Sequence, residues 1–156
     1  MYQLLKGEFD YCKDISWNDV INKIDYDCVH DEYKSLIKEK TAPTYILESL
    51  YLPGNLQKVF DRVCSEYETT KLHVYTSLGA GSPTFGRHKD PLDVLLIQVF
   101  GKVSYELDDN KQNGPVSLTL PETIDLNPGD GILIKKGIYH NPIIKEPRIT
   151  LSFSWW

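Results

Sequence analysis

Three residues with metal-binding side chains stand out in the sequence: His88 and Asp90 in segment 86–90, and His140 far downstream. Side chains two residues apart on a β-strand point to one face, so a strand here would aim His88 and Asp90 at one point. Arg87, next to His88, is then expected to face outward. A second imidazole, for which His140 is the candidate, would complete a 2-His-1-carboxylate set. That set suits non-haem Fe(II) and leaves positions for substrate and oxygen.

The bulk properties of the chain exclude several classes of protein. Its 156 residues suffice for one domain with a hydrophobic core. The net charge of −5 and the absence of a basic stripe argue against a nucleic-acid partner. Three widely spaced cysteines argue against a disulfide framework or a zinc ribbon. The N-terminus lacks the apolar stretch of a signal peptide, and no apolar run could cross a bilayer. We therefore predict a cytoplasmic protein with no membrane partner.

The first seventy residues carry mainly helical patterns, after a short segment that could pair as an edge strand. Ser16 is typical of a helix N-cap, with Asp19 three residues later as in a capping box. Residues 31–40 are predicted to form a second, more polar helix, and residues 44–52 a strand. A further helix begins after the Pro-Gly-Asn sequence at 53–55. Its apolar stripe consists of Leu56, Val59, Phe60, Val63, Cys64 and Tyr67.

From residue 71 onward the pattern changes to short β-branched and aromatic runs between clusters of Gly, Pro, Asn and Asp. Strands are predicted at residues 72–78, 94–100, 102–107, 116–120, 123–126, 131–135 and 148–155. Many short strands at this spacing indicate a barrel or a sandwich. We predict a single, mainly β domain over residues 1–156, in which a helical part (1–70) buttresses a β-barrel with the metal site (71–156).

The segment 127–140 resembles the second motif of the cupin superfamily. Gly129, Gly137 and His140 match the motif, while Lys135 stands where the motif has proline. In that family a Pro-Gly-Asp turn starts a strand, and the glycine before the histidine lets the chain bend so that the imidazole enters the barrel. Glycine is required there because the bend needs a backbone shape closed to other residues.

The segment that begins at His88 resembles a narrower group within that superfamily. His88-x-Asp90, a strand, and then Gln98-x-x-Gly101 followed by the basic Lys102 are similar to the JmjC-type oxygenases. The closest pattern is that of the cupin-like ribosomal oxygenases and asparaginyl hydroxylases. Together the two motifs are fairly specific, and the resemblance covers about residues 71–156.

The resemblance implies a double-stranded β-helix, or jelly roll, that binds Fe(II) and 2-oxoglutarate. In that family the metal and 2-oxoglutarate activate molecular oxygen, and the products are a hydroxylated C–H bond, succinate and CO2. The catalytic metal ligands would be His88, Asp90 and His140. The substrate class stays open between a small molecule, an amino acid and a peptide. Because cupin-like barrels often pair through their sheets, the resemblance also allows a homodimer.

The distal carboxylate of 2-oxoglutarate needs a cation, which the JmjC-type group supplies from the strand after His-x-Asp. Val103 occupies that position here. On the last strand, Arg148 and Thr150 fall on one face and resemble the Arg-x-Ser pair with which other 2-oxoglutarate oxygenases hold a carboxylate. A guanidinium binds a carboxylate bidentately, so we assign this pair as the substitute anchor. Tyr75 and Tyr105 are predicted to add hydroxyl donors.

Two alternatives stay open at this point. The first is a metal-dependent cupin that uses the same triad without 2-oxoglutarate and whose substrate chelates the metal directly; Val103 is its main support. The second is a non-catalytic binding protein that kept the barrel and lost turnover. Metal content separates the second alternative from the enzymes, and co-substrate binding separates the two enzymes.

Overall fold

The computed structural model describes residues 1–30, 33–36, 43–108 and 120–155. The elements in chain order are β1 (Tyr2–Leu5), a short 3-10 helix (Asp10–Asp14), α1 (Trp17–Val29), β2 (Tyr33–Leu36), β3 (Thr44–Glu48), α2 (Asn55–Tyr67), β4 (Lys71–Ser77), β5 (Val94–Phe100), β6 (Val103–Asp108), β7 (Glu122–Leu126), β8 (Gly131–Ile134), β9 (Tyr139–Ile144) and β10 (Arg148–Ser154). Within this part of the chain, no helix is long and apolar enough to span a membrane.

The strands form two antiparallel sheets. The larger sheet has the order β1-β8-β5-β10-β4-β3-β2, and the smaller one has the order β7-β6-β9. Neighbours in the larger sheet come from distant parts of the sequence, as when β10 pairs with β4 on one side and β5 on the other. The long connections between neighbouring strands are typical of a jelly roll rather than of a meander.

The two helices cover the outer face of the larger sheet. Helix α1 begins with the predicted capping box, in which the Ser16 hydroxyl accepts a hydrogen bond from the Asp19 backbone N–H and the Asp19 carboxylate accepts one from the Ser16 N–H. The apolar stripe of α2 packs on alternate residues of the sheet strands. The core on this side includes Leu56, Val59, Val63, Leu72, Val74, Leu95, Ile97, Ile149, Leu151 and Phe153.

A second apolar cluster fills the space between the two sheets. It joins inward residues of β5 and β8 to inward residues of β6, namely Val94, Leu96, Ile132, Ile134, Val103, Tyr105 and Leu107, together with Leu126 and Ile144. Strand β5 is therefore buried on both faces from residue 94 to residue 99, which explains a run that is apolar apart from Gln98. Strand β10 is also buried throughout, but its face toward the smaller sheet is polar.

One sequence-based prediction changes with the structure, and another lies outside the described residues. The helix predicted over residues 31–40 is wrong for Tyr33–Leu36, which forms β2 and pairs with β3; the rest of that range lies outside the described residues. The apolar residues there fit a helical spacing, and the pairing of this segment with β3 was not visible in the local pattern. The strand predicted over 116–120 also lies outside the described residues, apart from Leu120. Moreover, the first seventy residues contribute three strands as well as the helices.

Candidate metal centre

The structure brings together the three predicted metal ligands, His88, Asp90 and His140. Their ligand atoms all lie within 4.8 Å of one another. His88 and His140 form an isolated antiparallel bridge, with N–H to carbonyl distances of 3.0 Å and 2.8 Å. The His140 Nε2 lies 3.4 Å from the Asp90 Oδ2. The prediction that a strand carries both His88 and Asp90 is wrong, because the segment has only this bridge and Asp90 follows it in irregular backbone.

Both imidazole rings are held by backbone carbonyls of the residues two positions earlier. The Nδ1 of His88 lies 2.8 Å from the carbonyl oxygen of Gly86, and the Nδ1 of His140 lies 3.2 Å from that of Ile138. Because a carbonyl oxygen can only accept, each Nδ1 carries the proton. Each Nε2 therefore keeps its lone pair for a metal ion.

The protonation states of the site suit a divalent cation. Burial, and next the neighbouring His140, lower the pKa of His88, so its ring is neutral at pH 7. Burial alone would raise the pKa of Asp90, but the adjacent His140, and next His88, hold this pKa below its usual value. An ionised carboxylate beside imidazole nitrogens, without a thiolate, is a donor set that fits Fe(II).

The turn before His140 is built as the cupin motif predicts. Gly137 has a φ of +82°, in the left-handed region that favours glycine. Its N–H donates to the carbonyl oxygen of Asp90 at 3.1 Å. The same residue that offers the carboxylate ligand therefore also fixes the bend that directs His140 into the barrel.

A pocket opens beside the triad, between the two sheets. It has about 450 Å³ of free space, part of it open to solvent. Its lining residues are Thr44, Tyr75, Thr84, Phe85, His88, Asp90, Leu96, Tyr105, His140, Pro142, Arg148 and Ser152. The predicted residues Tyr75, Tyr105 and Arg148 are thus in the same pocket as the triad. Thr150 does not line the pocket and instead contacts Arg148 from within the sheet.

Arg148 is the cation of this pocket, and it is almost completely buried, with 3% of its surface exposed. Its Nε donates to the Ser77 Oγ and its Nη1 to the Thr150 Oγ1, each at 3.1 Å, and Tyr105 is a third hydrogen-bond partner. All three are neutral, and across the described residues no carboxylate pairs with Arg148. Burial consequently lowers the pKa of this guanidinium. The guanidinium has five N–H donors, so donors are left for a ligand.

A directed hydrogen-bond network holds Thr150 in place. The Gln98 amide nitrogen donates to the carbonyl oxygens of Phe100 and Gly101, at 2.7 Å and 3.0 Å. This turns the Gln98 Oε1 toward the Thr150 hydroxyl, which donates to it at 2.7 Å. Thr150 can then accept from Arg148. The Gln-x-x-Gly motif is thus part of the support for the arginine.

The glycine of that motif is required by its surroundings. Gly101 has a φ of +69°, and a Cβ there would overlap the carbonyl oxygen of Pro147. The two backbone segments meet closely just before Arg148. Val103, at the position where the resembling group has a basic residue, is 1% exposed within the apolar cluster between the sheets.

The two tyrosines differ in their position around Arg148. Tyr105 is fully buried and its hydroxyl contacts the guanidinium, while the Tyr75 ring centroid lies 5.7 Å from the guanidinium carbon. Burial, with a further contribution from Asp90, raises the pKa of Tyr75 to about 12. Tyr75 therefore stays protonated and remains a hydrogen-bond donor beside the metal ligands.

Arg87 departs from its prediction. It does not face outward into solvent, because its Nε and Nη2 bind the two Asp108 carboxylate oxygens at 2.9 Å and 2.7 Å. The side chains of Arg87 and Asp108 are only 5% and 6% exposed. Its neighbour on the other side of the histidine, Lys89, is exposed. The sequence offered no signal for this pair, because its partners lie on different elements.

The sequence interpretation also missed several residues that line the pocket or contact Arg148. Thr44 and Ser77 share a hydrogen bond of 2.9 Å behind Arg148, and Phe85 stands edge-on to His88 with ring centroids 5.7 Å apart. Residues with this role carry no local motif. Ser77 could only be found from the register of β4 with β10, where it pairs with Arg148.

Comparison with known proteins gives a family and a set of similar folds. A family model described as "JmjC domain" matches residues 50–156. No curated protein matches the chain by sequence similarity.

Solved structures resemble the whole described fold. The Escherichia coli ribosomal oxygenase YcfD has a TM-score of 0.72 and 18% identity, over 99% of this chain and 48% of that chain. Its complex with cobalt and 2-oxoglutarate has a TM-score of 0.72 and 16% identity, over 100% and 48%. Hydroxypropylphosphonic acid epoxidase from S. wedmorenis has a TM-score of 0.50 and 11% identity, over 80% and 56%. At these identities the likeness shows a shared fold, and the chain spans about half the length of the ribosomal oxygenase structures.

Proposed function

Because the chain belongs to the JmjC domain family, we propose that it is an Fe(II)- and 2-oxoglutarate-dependent dioxygenase that hydroxylates its substrate. The observation that carries this proposal is the state of Arg148. A buried guanidinium is costly unless an anion accompanies it. Arg148 has no carboxylate partner in the part of the chain that the structure describes, and it lines the same pocket as the three metal ligands. A ligand that carries a carboxylate would supply the missing anion.

The metal would be held by the Nε2 atoms of His88 and His140 and by the Asp90 carboxylate. The carbonyls of Gly86 and Ile138 fix the protons on the opposite ring nitrogens, so both imidazoles are ready to coordinate. One face of the ion would remain for ligands that the protein does not provide.

When bound, Fe(II) and 2-oxoglutarate supply the oxidising power for hydroxylation, with molecular oxygen consumed and succinate and CO2 released. Arg148 would bind the distal carboxylate of 2-oxoglutarate through its remaining N–H donors. Tyr105 and Thr150 orient the guanidinium, and Tyr75 offers a hydroxyl proton to the co-substrate. The apolar side chains of Leu96 and Pro142 reduce the access of water to this end of the pocket.

The substrate class is open to three choices: a peptide, an amino acid or a small molecule. Because the E. coli structures are those of a ribosomal oxygenase, a peptide is the first class to test. We further propose that residues 1–70 support the barrel and that residues 71–156 form the catalytic barrel itself. We also propose a cytoplasmic location, where Fe(II) and 2-oxoglutarate are both available, with a homodimer as an open arrangement.

A second candidate function is favoured by Val103. This buried, apolar residue stands where the resembling group has the basic residue that binds 2-oxoglutarate. In this case a substrate with its own anionic group would chelate the metal directly and reach Arg148 itself. The same triad and the same arginine would serve, and only the co-substrate would differ.

An anaerobic titration separates these functions. Metal-free protein is titrated with Fe(II) and then with 2-oxoglutarate, and the visible metal-to-ligand charge-transfer band is recorded. We expect the band only when both are present, and we expect Arg148→Met to bind Fe(II) normally but to need at least about 100-fold more 2-oxoglutarate, since a charge-assisted bidentate contact is lost.

His140→Ala is the control for the metal, because it removes one ligand and is expected to abolish Fe(II) retention. Fe(II) binding without a band would favour the second candidate function. An absence of Fe(II) binding by the wild-type protein would leave the non-catalytic cupin-fold protein.

A further inference from the structure

His88 lies outside the regular strands, in a segment that pairs with β9 at a single position. His88 and His140 are held together by one isolated bridge, and not by a ladder of strand hydrogen bonds. Directly opposed residues of an antiparallel pair place their side chains on the same face. The two rings accordingly lie side by side, with centroids 4.2 Å apart. The common direction of the two imidazole rings therefore depends on the single bridge between the His88 and His140 segments.

Each ring is also oriented by the chain just before it. The hydrogen bonds from Nδ1 go to Gly86 and Ile138, two residues before each histidine. A rotation of the backbone at Arg87 or Tyr139 would therefore move the carbonyl that fixes the ring, and with it the Nε2 that faces the pocket. The residues between carbonyl and ring thus decide where the ligand atoms point.

Those two intervening residues contact each other. The guanidinium carbon of Arg87 lies 3.7 Å from the centre of the Tyr139 ring. The same guanidinium binds both Asp108 oxygens, and Asp108 pairs with Tyr139 across β6 and β9. Arg87 therefore joins the His88 segment to β6 by charge and to the His140 segment by stacking.

We propose that Arg87 and Asp108 form a positioning pair that holds the His88 and His140 segments in register, so that both Nε2 atoms meet one metal ion. This inference rests on the proposed metal-dependent function. Neither residue touches the metal or the pocket. Only a planar guanidinium can bridge both carboxylate oxygens and stack on a ring, so lysine is not an equivalent replacement.

The chain provides a matched control in Arg62. The Arg62 Nε binds the Glu66 carboxylate at 2.9 Å, and the guanidinium lies 3.6 Å from the centre of the Tyr11 ring. Arg62 thus also combines a carboxylate partner with an aromatic ring, but this pair is half exposed and lies on helix α2, which contains none of the three metal ligands.

The test measures Co(II) binding to metal-free protein and the visible absorption spectrum of bound Co(II). We expect Arg87→Met/Asp108→Asn to bind Co(II) about 10- to 100-fold more weakly than the wild type, the usual effect of losing support for metal ligands. Its Co(II) spectrum should change, since the ligand geometry relaxes. Arg87→Lys should recover only part of the affinity, and Arg62→Met should match the wild type in both readouts.

The double variant is the decisive protein, because it removes both charges of the pair together and is expected to fold. Urea unfolding establishes that it is folded before metal is added. Wild-type affinity and spectrum in this folded variant would overturn the positioning role alone. A wild-type protein that fails to bind Co(II) would overturn the proposed function and this inference together.

Discussion

Two buried arginines lie near the metal ligands, and they differ in the anion beside them. Arg87 meets the Asp108 carboxylate with two hydrogen bonds, whereas Arg148 meets the hydroxyls of Ser77, Thr150 and Tyr105. The first has its counter-ion built into the fold. The second has none in the regions that the structure covers. The comparison leads to a simple hypothesis: the arginine proposed to support the site is neutralised within the protein, and the arginine proposed to bind a ligand would be neutralised by that ligand.

The largest expected change in stability comes from removing one member of the Arg87–Asp108 ion pair. Arg87→Met removes the guanidinium that binds both Asp108 oxygens in a nearly buried position, and we expect the free energy of unfolding to fall by about 3 kcal/mol, as for other broken buried pairs. Urea denaturation of the metal-free protein measures this change. Arg87→Met/Asp108→Asn should recover most of the loss because no charge is left unpaired. A double variant as unstable as the single one would contradict this account of the pair.

The next effect concerns the ligand at Arg148. With Mn(II) present, 2-oxoglutarate at about one hundred times its Kd should stabilise the wild-type protein by about 2.7 kcal/mol, because it binds only the folded state. Thermal unfolding with and without 2-oxoglutarate gives this difference. In Arg148→Met the same concentration should give little stabilisation, while Mn(II) alone should stabilise both proteins equally. An equal response of the variant to 2-oxoglutarate would place the carboxylate elsewhere.

The smallest expected effect, that of Arg148→Met on the stability of the ligand-free protein, distinguishes the two arginines most clearly. Without ligand, Arg148→Met should change the free energy of unfolding by less than about 1 kcal/mol, since it removes a buried charge and strands no carboxylate. Its neutral partners keep other contacts, as Thr150 does with Gln98. The measurement is the same urea experiment as for Arg87→Met. A loss as large as that of Arg87→Met would mean that Arg148 serves the fold rather than a ligand.

The family, the fold and the metal-binding residue types could be predicted because they depend on local patterns. The two motifs that contain His88 and His140 predicted membership of the JmjC group and a jelly roll, and both predictions are confirmed. The alternation of β10 predicted that Arg148 and Thr150 share a face, and the structure joins them by a hydrogen bond. The assignment of individual ligands to these residues stays a prediction.

The remaining features could not be predicted because they depend on pairing between distant segments. The sequence 33–36 fits a helix or a strand, and its pairing with β3 decides the outcome. The sequence pattern predicts that Arg87 faces solvent, because nothing near it in the sequence indicates that Asp108 on β6 is its partner. Asp90 lies close to His88 although no strand carries the two residues. The His88–His140 bridge and the hydrogen bond from the Gly137 N–H to the Asp90 carbonyl hold this segment in place.

The position of β10 has a consequence for how the molecule is assembled during synthesis. In the larger sheet, β1, β8 and β5 lie on one side of β10, and β4, β3 and β2 lie on the other. Strand β10 follows all of them in the sequence, so these two groups of strands share no ladder hydrogen bonds until it emerges from the ribosome. A nascent chain that stops before residue 148 also lacks the arginine of the pocket. Closure of the larger sheet and completion of the pocket around Arg148 therefore both depend on the last strand.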